Sequence, residues 1–464
     1  MKKKIAILVT ISLVLVSVAA YNRYNTTLNV AYKKIYNKNP YLTVIGPIKM
    51  ADGIARQTPE LVEAFYKELN INIKSDYVVQ DDLSLVVKSI LKKPVNVGKV
   101  VLYEDLIWAP DNDSRRHLPL QRKDRELRIA YSMLESSSIP EQWVEILNQY
   151  FDMVVVPDSY LVNAYKNSGV VIPIYEVPLA LHMDSFLSQP LKQEKKTPFI
   201  FANYGACIDR KNQLLLIKAF GNVFGGRKDV FLFINGRDQD EVVVNSLREA
   251  IKNDHLDNVC FSKLTLNKQS YLKNFTCVDC YVSLSKGEGF SIQPREAMAL
   301  GIPVIVSNNT AQTTICDTGF VCPVPSAIQE PVYYCNNYSA GHCFQCNLSD
   351  VENALRDVYN NYEYYLNKGA KARAWAAQYN YSHSKTRELF HTLLLPSSVI
   401  LGLENTITDS CLVTNSVDLF KKYSTILQHR HLVNLPHPSI FKKYGLIKKI
   451  KLMKEFKKYK HSNV

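Results

Sequence analysis

The sequence has no G-x-G-x-x-G turn behind its first predicted strand, which removes the fingerprint of a dinucleotide oxidoreductase. It has no compelling Asp-x-Asp metal site, so a reaction built around a carboxylate-held divalent cation has little support. No internal repeat or low-complexity tract interrupts it, which leaves ordinary globular domains. The ten cysteines do not repeat a paired C-x2-C zinc knuckle. Cys316, Cys322, Cys335, Cys343 and Cys346 crowd one region, and Cys277 lies two residues from Cys280. Loop disulfides or buried thiols are the favoured readings. Zinc on Cys335, Cys343 and Cys346 plus one more ligand is the alternative, and Cys280 is expected in the core. Acidic residues are in the minority, 43 against 56 Lys and Arg, for a net charge of +13. That excess is not spread evenly. Lys442 to Lys460 holds nine lysines and one glutamate, so the body is only mildly basic. Nucleic acid is therefore a poor partner and a membrane surface a better one.

What is present is enough apolar residue, 47% of 464, to bury sizeable cores. Residues 1–24 read as a signal-anchor or signal peptide: Lys2, Lys3 and Lys4, then the apolar run Ile5 to Ala20. A retained single-pass segment makes the protein membrane-associated, with its body either lumenal or on a cytosolic inner face. The sequons at Asn112 and Asn337 permit the first. Residues 25–39 form a linker. Alternating strand-like and helix-like stretches then fill two α/β domains with parallel sheets, 40–187 and 199–380, joined by a polar linker at 188–198. The first domain has strands at Tyr41–Ile45, Lys99–Leu102, Leu127–Tyr131, Met153–Pro157 and Val171–Val177. Its helices are one capped by Thr58, a Pro140-led one to Tyr150, and Ser159–Asn167. The second has strands at Phe199–Ala202, Val230–Ile234, Val259–Phe261, Tyr281–Leu284 and Val304–Val306. Helices there are expected at Lys211–Phe220, Val242–Lys252, Lys268–Phe275, Asp350–Tyr365 and Lys368–Gln378. A crossing helix occupies 381–395 and a basic extension 396–464. In that extension Ile447, Ile450, Met453 and Phe456 form one helical stripe suited to an anionic lipid surface or to a solvated tail. Two doubly wound domains put a cleft between the C-terminal ends of their strands, where ligands bind.

The chain is organised around Gly287-Glu288-Gly289-Phe290-Ser291-Ile292-Gln293-Pro294-Arg295-Glu296. An apolar strand leads in, two glycines suit close backbone approach to a ligand, and Pro294 is expected at the first helical position with Glu296 in the first turn. Gly301 is expected to end the helix. A strand, a glycine turn and a free helix N-terminus form an anion site. Glu288 and Glu296 cannot bind the anion and are placed as acceptors for hydroxyls at either end of it. A diphosphate with a sugar on each side satisfies all three features.

These residues, with Glu296-Ala297-Met298-Ala299 and Gly301-x-Pro303-Val304-Ile305, resemble the Glu-x7-Glu signature of the GT-B glycosyltransferases of glycosyltransferase family 4. Arg210-Lys211-Asn212 with Leu215, Ile217, Ala219 and Phe220 resembles that family's basic loop, and Ile129–Glu135 with Pro140 resembles a segment of some acceptor domains. The resemblance implies a GT-B fold: two Rossmann-like domains facing a cleft. It also implies sugar transfer from a nucleotide-diphosphate sugar to a hydroxyl of a glycan, lipid or protein-linked acceptor, with retention of configuration. By it, Lys211 and Arg210 neutralise the diphosphate, Glu288 accepts from the donor sugar, and Glu296 accepts from the ribose. The backbone of Gly287, Gly289, Phe290, Ser291 and Ile292 faces the phosphates or sugar, and Gly205 belongs to the first donor-domain loop. Gly53 and Glu135 are acceptor-side candidates, with His117 and His182 candidates by composition. No metal or other cofactor is expected, because cations and helix amides offset the phosphate charge. Two features depart from the family pattern. Gly205-Ala206 stands where an arginine usually follows the glycine, and Ser132 and Glu135 occupy a region where many relatives carry a histidine. These departures keep a second reading open, a catalytically degenerate nucleotide-sugar-binding or scaffold protein on the same fold.

Overall fold

The computed structural model describes residues 42–390, apart from 51–52, 76, 94–96, 99, 105–126, 335–337, 384–386 and 389. The N-terminal apolar segment, the 25–39 linker, His117, both sequon asparagines, Cys335 and the basic extension lie outside the described residues. Among those described, no helix is long and apolar enough to cross a membrane.

Two six-stranded sheets carry the chain. The first has β1 (Leu42–Ile45), β2 (Ile71–Lys74), β3 (Val100–Tyr103), β4 (Leu127–Tyr131), β5 (Met153–Val156) and β6 (Ile174–Glu176), in the order β2-β1-β3-β4-β5-β6. The second has β7 (Phe199–Cys207), β8 (Val230–Gln239), β9 (Val259–Ser262), β10 (Cys280–Ser283), β11 (Val304–Asn308) and β12 (Cys322–Pro325), in the order β12-β11-β10-β7-β8-β9. Adjacent strands are parallel, as in β1 with β3 and β10 with β11. Central strands such as Val100–Tyr103 and Met153–Val156 are buried along their whole length, because helices cover both faces of a parallel sheet. The core of the second domain packs Phe199, Phe201, Phe220, Phe224 and Val282 against Val351, Leu355 and Tyr362. An antiparallel hairpin, β13 (Ile328–Tyr334) with β14 (Tyr338–Gln345), follows β12.

Several boundaries move, each for a local reason. The helix near Thr58 begins at Gln57, and Thr58 donates instead to Glu104 Oε2 at 2.7 Å. The helix expected from Lys211 is a 3-10 turn, Asp209–Lys211, then Asn212 at φ +58°, then Gln213–Phe224. The left-handed Asn212 breaks what would be one helix. The helix after β10 runs Ile292–Ala299, so Pro294 is its third residue and Glu296 lies beyond the first turn. Proline fits there because that N–H also has no intrahelical partner. Gly301, at φ +72°, ends the helix as expected, with its N–H on Met298 and that of Ile302 on Ala297. Asp350–Tyr365 divides into Leu348–Asn360 and Tyr362–Leu366. Val171–Val177 contributes only Ile174–Glu176. Strands β2, β12, β13 and β14 and the helix Leu85–Leu91 add to the expected elements. The chain returns to the first domain near its end: Phe390 packs on Phe65 at 5.8 Å, and Arg387 pairs with Glu68.

Cys280 is fully buried, and the eight described cysteines are free thiols. Cys346 lies 3.0 Å from Ser326 Oγ while Cys343 faces Glu330, so the two do not share a partner. Among the described residues, no group of three or more His, Cys, Asp or Glu side chains is arranged to hold a metal ion.

Candidate functional site

The site is built where β7 and β10 end. After β10 the chain turns through Lys286–Ser291 and enters the helix at Ile292. Ser291 holds φ +66°, makes no side-chain cap, and leaves its hydroxyl buried without a partner. The helix N-terminus is therefore uncapped by its own sequence. The Glu288 N–H donates to Thr310 Oγ1 at 2.8 Å, and its carbonyl accepts from Ala311. This fixes the backbone and aims the carboxylate at the turn that follows β7.

That turn supplies the cations. Lys211 Nζ pairs with Glu288, and Arg210 lies 3.3 Å from the same oxygen. Arg210 also donates to the Gly287 carbonyl at 2.6 Å and to Glu135 Oε1 at 3.0 Å. Glu135 comes from the first domain, so one guanidinium joins both halves of the molecule. Burial alone would raise the Glu288 carboxyl, but Lys211 and Arg210 outweigh it and hold it at about 2. Burial lowers Lys211, with Glu288 opposing. Burial also works against Arg210, yet Glu135 and Glu288 leave it above its ordinary value. The Glu288 carboxylate is thus held charged in a buried place, because the cations beside it offset its desolvation.

The glycines have a different use from the one expected. A Cβ on Gly287 would collide with the Glu135 carbonyl, and one on Gly289 would sit 3.0 Å from Met133 Cβ. Their close approach is to the first domain's Met133–Glu135 segment. Phe290 is buried with its ring 3.8 Å from Arg295 and 5.4 Å from Tyr379. Arg295, fully buried, lies 3.5 Å from Asp158, the N-cap of Ser159–Asn167 in the first domain. The sequence reading missed this second link. Its only signal in the sequence was an arginine directly before Glu296, inside the glycine–glutamate stretch.

Glu296 lies one turn into the helix that follows. Arg56 of the first domain reaches it at 2.9 Å, and Tyr271 donates to it at 2.8 Å. Arg56 also lies 3.3 Å from the buried Glu60. These side chains line a cleft of about 120 Å³ with Gly53, His182, Tyr204, Gly205, Asn235, Arg237, Lys268 and Gln293. Asn235 clamps the far wall, donating to the Leu264 carbonyl at 3.0 Å and accepting from its N–H at 3.2 Å. Gly53 and Gly205 therefore both reach the cleft, and a Cβ on Gly205 would lie 4.0 Å from the Lys211 stem. His182 sits 3.8 Å from Asp184 and 4.9 Å from the Tyr381 ring. Arg56, Tyr271, Asn235 and Lys286 went unrecognised in the sequence, although Lys286 directly precedes Gly287.

Two six-stranded parallel sheets of this topology have counterparts among known proteins. Residues 187–330 match the family model of glycosyl transferases group 1. The chain has the GT-B fold. The GT-B structure of Anabaena Alr3699/HepE, in complex with UDP and glucose, superposes with a TM-score of 0.53 at 10% identity, covering 76% of this chain and 99% of that one. A glycosyltransferase from Rickettsia africae ESF-5 gives 0.54 at 14%, covering 78% and 100%. The trehalose-6-phosphate synthase OtsA gives 0.55 at 11%, covering 76% and 98%. In sequence, the chain is 20% identical over 277 residues to uncharacterized protein 356 of Sulfolobus islandicus rod-shaped virus 1, covering 56% of this chain and 74% of that protein.

Proposed function

We propose that this GT-B protein is a glycosyltransferase that moves a sugar from a nucleotide-diphosphate sugar to an acceptor hydroxyl, with retention and without a metal ion. The observation that carries the reading is the meeting of Arg210 and Lys211 with Glu288 beside the uncapped helix start at Ile292. Cations and helix amides there suit a diphosphate. The family match over 187–330 and GT-B neighbours solved with UDP or UDP-glucose support a nucleotide-sugar donor.

In this reading the diphosphate replaces carboxylates as the partner of Arg210 and Lys211. Glu288, released from them, accepts from donor-sugar hydroxyls. Glu296 leaves Arg56 to accept from the ribose, whose nucleoside fills the cleft between Tyr204, Asn235 and Tyr271. The acceptor hydroxyl attacks from the face that the diphosphate leaves, and the leaving diphosphate takes its proton. Lys211, Arg210 and the helix N-terminus stabilise the negative charge that develops. Closing the two domains around the donor expels water and limits donor hydrolysis. The apolar segment Ile5–Ala20 holds the enzyme at a membrane.

Incubating the protein with a panel of nucleotide sugars and hydroxyl acceptors, with mass detection of products, tests the reading. Transfer from at least one donor is expected, and its anomeric configuration reports retention. Unchanged rates after adding a chelator are expected for metal independence. Donor binding without transfer or hydrolysis across the panel would favour the scaffold reading, which the Gly205-Ala206 departure motivates.

A further inference from the structure

The hairpin β13–β14 has no part in the chemistry above, yet its polar contacts converge on the cation turn. Lys286, immediately before Gly287, joins three segments through one residue. Its N–H donates to the Arg210 carbonyl at 2.8 Å, and its own carbonyl accepts from the Phe344 N–H of the hairpin at 2.7 Å. Its ammonium, 8% exposed, donates to Asp209 at 2.8 Å and to Glu330 of the hairpin at 2.7 Å. Asp209 is 82% exposed and holds that ammonium weakly on its own. Glu330 is therefore the better anchor. On the next strand, Gln345 accepts from the side chain of Asn212, the left-handed residue that closes the cation turn.

The hairpin also reaches the first domain. Tyr334 donates to Glu135 Oε2 at 3.0 Å, leaving Oε1 for Arg210, and its ring packs on Trp143 at 5.6 Å. Ser137 N–H donates to the His342 carbonyl, and His342 N–H donates to Ser137 Oγ, each at 2.9 Å. The contacts through Lys286, Gln345 and Tyr334 thus end on the Arg210 backbone, on Asn212 next to Lys211, and on the carboxylate that pairs with the Arg210 guanidinium.

We propose that the hairpin Ile328–Gln345 positions the Asp209–Asn212 cation turn, with Glu330 and Tyr334 as its positioning residues. Glu330 holds Lys286 and through it the backbone of Arg210. Tyr334 holds Glu135 and through it the Arg210 guanidinium. The proposal rests on the reading of Arg210 and Lys211 as diphosphate ligands.

Its test is calorimetric titration of the full chain with inorganic pyrophosphate, which needs no knowledge of base or sugar. The proteins compared are wild type, Lys211→Ala, Glu330→Gln and Tyr334→Phe, each with its thermal midpoint. Removing the Glu330 carboxylate should tighten an anion through Coulomb's law alone. Positioning demands the reverse, a loss of about fivefold, the equivalent of one hydrogen bond. Tyr334→Phe changes no charge and removes only a hydroxyl, so it carries the test if Glu330→Gln folds poorly, with a loss of about threefold. Lys211→Ala should lose pyrophosphate binding. If it does, and both hairpin variants bind as tightly as wild type or more tightly, the positioning role is overturned while the diphosphate site stands. If wild type fails to bind, or Lys211→Ala binds equally well, the diphosphate site falls and takes the hairpin proposal with it.

Discussion

Glu288 and Glu296, with seven residues between them, stand in one turn and in the helix that follows it, and their partners differ in origin. Glu288 is held by Lys211 and Arg210 of its own domain. Glu296 is held by Tyr271 of its own domain and by Arg56 of the other. Separating the domains breaks the Arg56 pair and leaves the Lys211 pair whole. One end of the site is thus preassembled in the second domain, and the other is completed by the first. Glu135 ties the first domain to the Glu288 end as well, since it reaches across to the same Arg210 that serves Glu288.

The largest effect should come from breaking the preassembled end. Glu288→Ala and Lys211→Ala should each lower transfer by at least about 100-fold while the circular dichroism spectrum stays that of the folded protein, because Lys211 stabilises the developing diphosphate and Glu288 orients the donor sugar. Full activity in either sinks the assignment. Next comes the contact beneath that end. Gly287→Ala forces a Cβ into the Glu135 carbonyl and should cost about 2–3 kcal/mol in urea unfolding. Gly289→Ala, facing a side-chain carbon at 3.0 Å, should cost less.

A third effect lies in the first domain and depends on pH. Burial pushes the Glu104 carboxyl up to about 7, against its hydrogen bond from Thr58. A raised carboxyl gives stability that is complete below its unfolded value, near 4.5, and is lost as pH rises toward 7. Glu104→Gln should therefore exceed wild type by about 2 kcal/mol at pH 8 and match it at pH 4.5, measured by denaturant unfolding. Glu288 has the opposite sign: its contribution is complete above 4.5 and is lost as pH falls toward 2. The smallest effect is at the shared end. Arg56→Gln frees Glu296 for a ribose and should tighten nucleotide binding about threefold, a little under 1 kcal/mol, with a lower thermal midpoint. Weaker binding would show that Arg56 serves the bound donor rather than competing with it.

The preassembled end was the more legible in the sequence, because its residues cluster in two short stretches, Arg210-Lys211 and Gly287–Glu296. The apolar runs of β3, β5 and β10 announce buried parallel strands, which fixed the two-sheet plan. The shared end was not legible. Arg56 and Glu296 are 240 positions apart, and nothing local marks Arg56 as their meeting point. The role of the glycines was misjudged for the same reason: a residue without a Cβ permits close approach, but only the fold shows that Met133–Glu135 approaches. The hairpin escaped because Ile328–Gln345 mixes polar and apolar residues without strict alternation, and its register shifts between Pro331 and Tyr333.

The most direct test is the release of free nucleoside diphosphate, followed by mass detection, from a panel of nucleotide sugars mixed with a panel of hydroxyl acceptors and treated in parallel with wild type and Glu288→Ala. Wild type should release it from one or a few donors, and Glu288→Ala at least about 100-fold more slowly. Equal rates for the two proteins, or no release from any donor by wild type, would contradict the account.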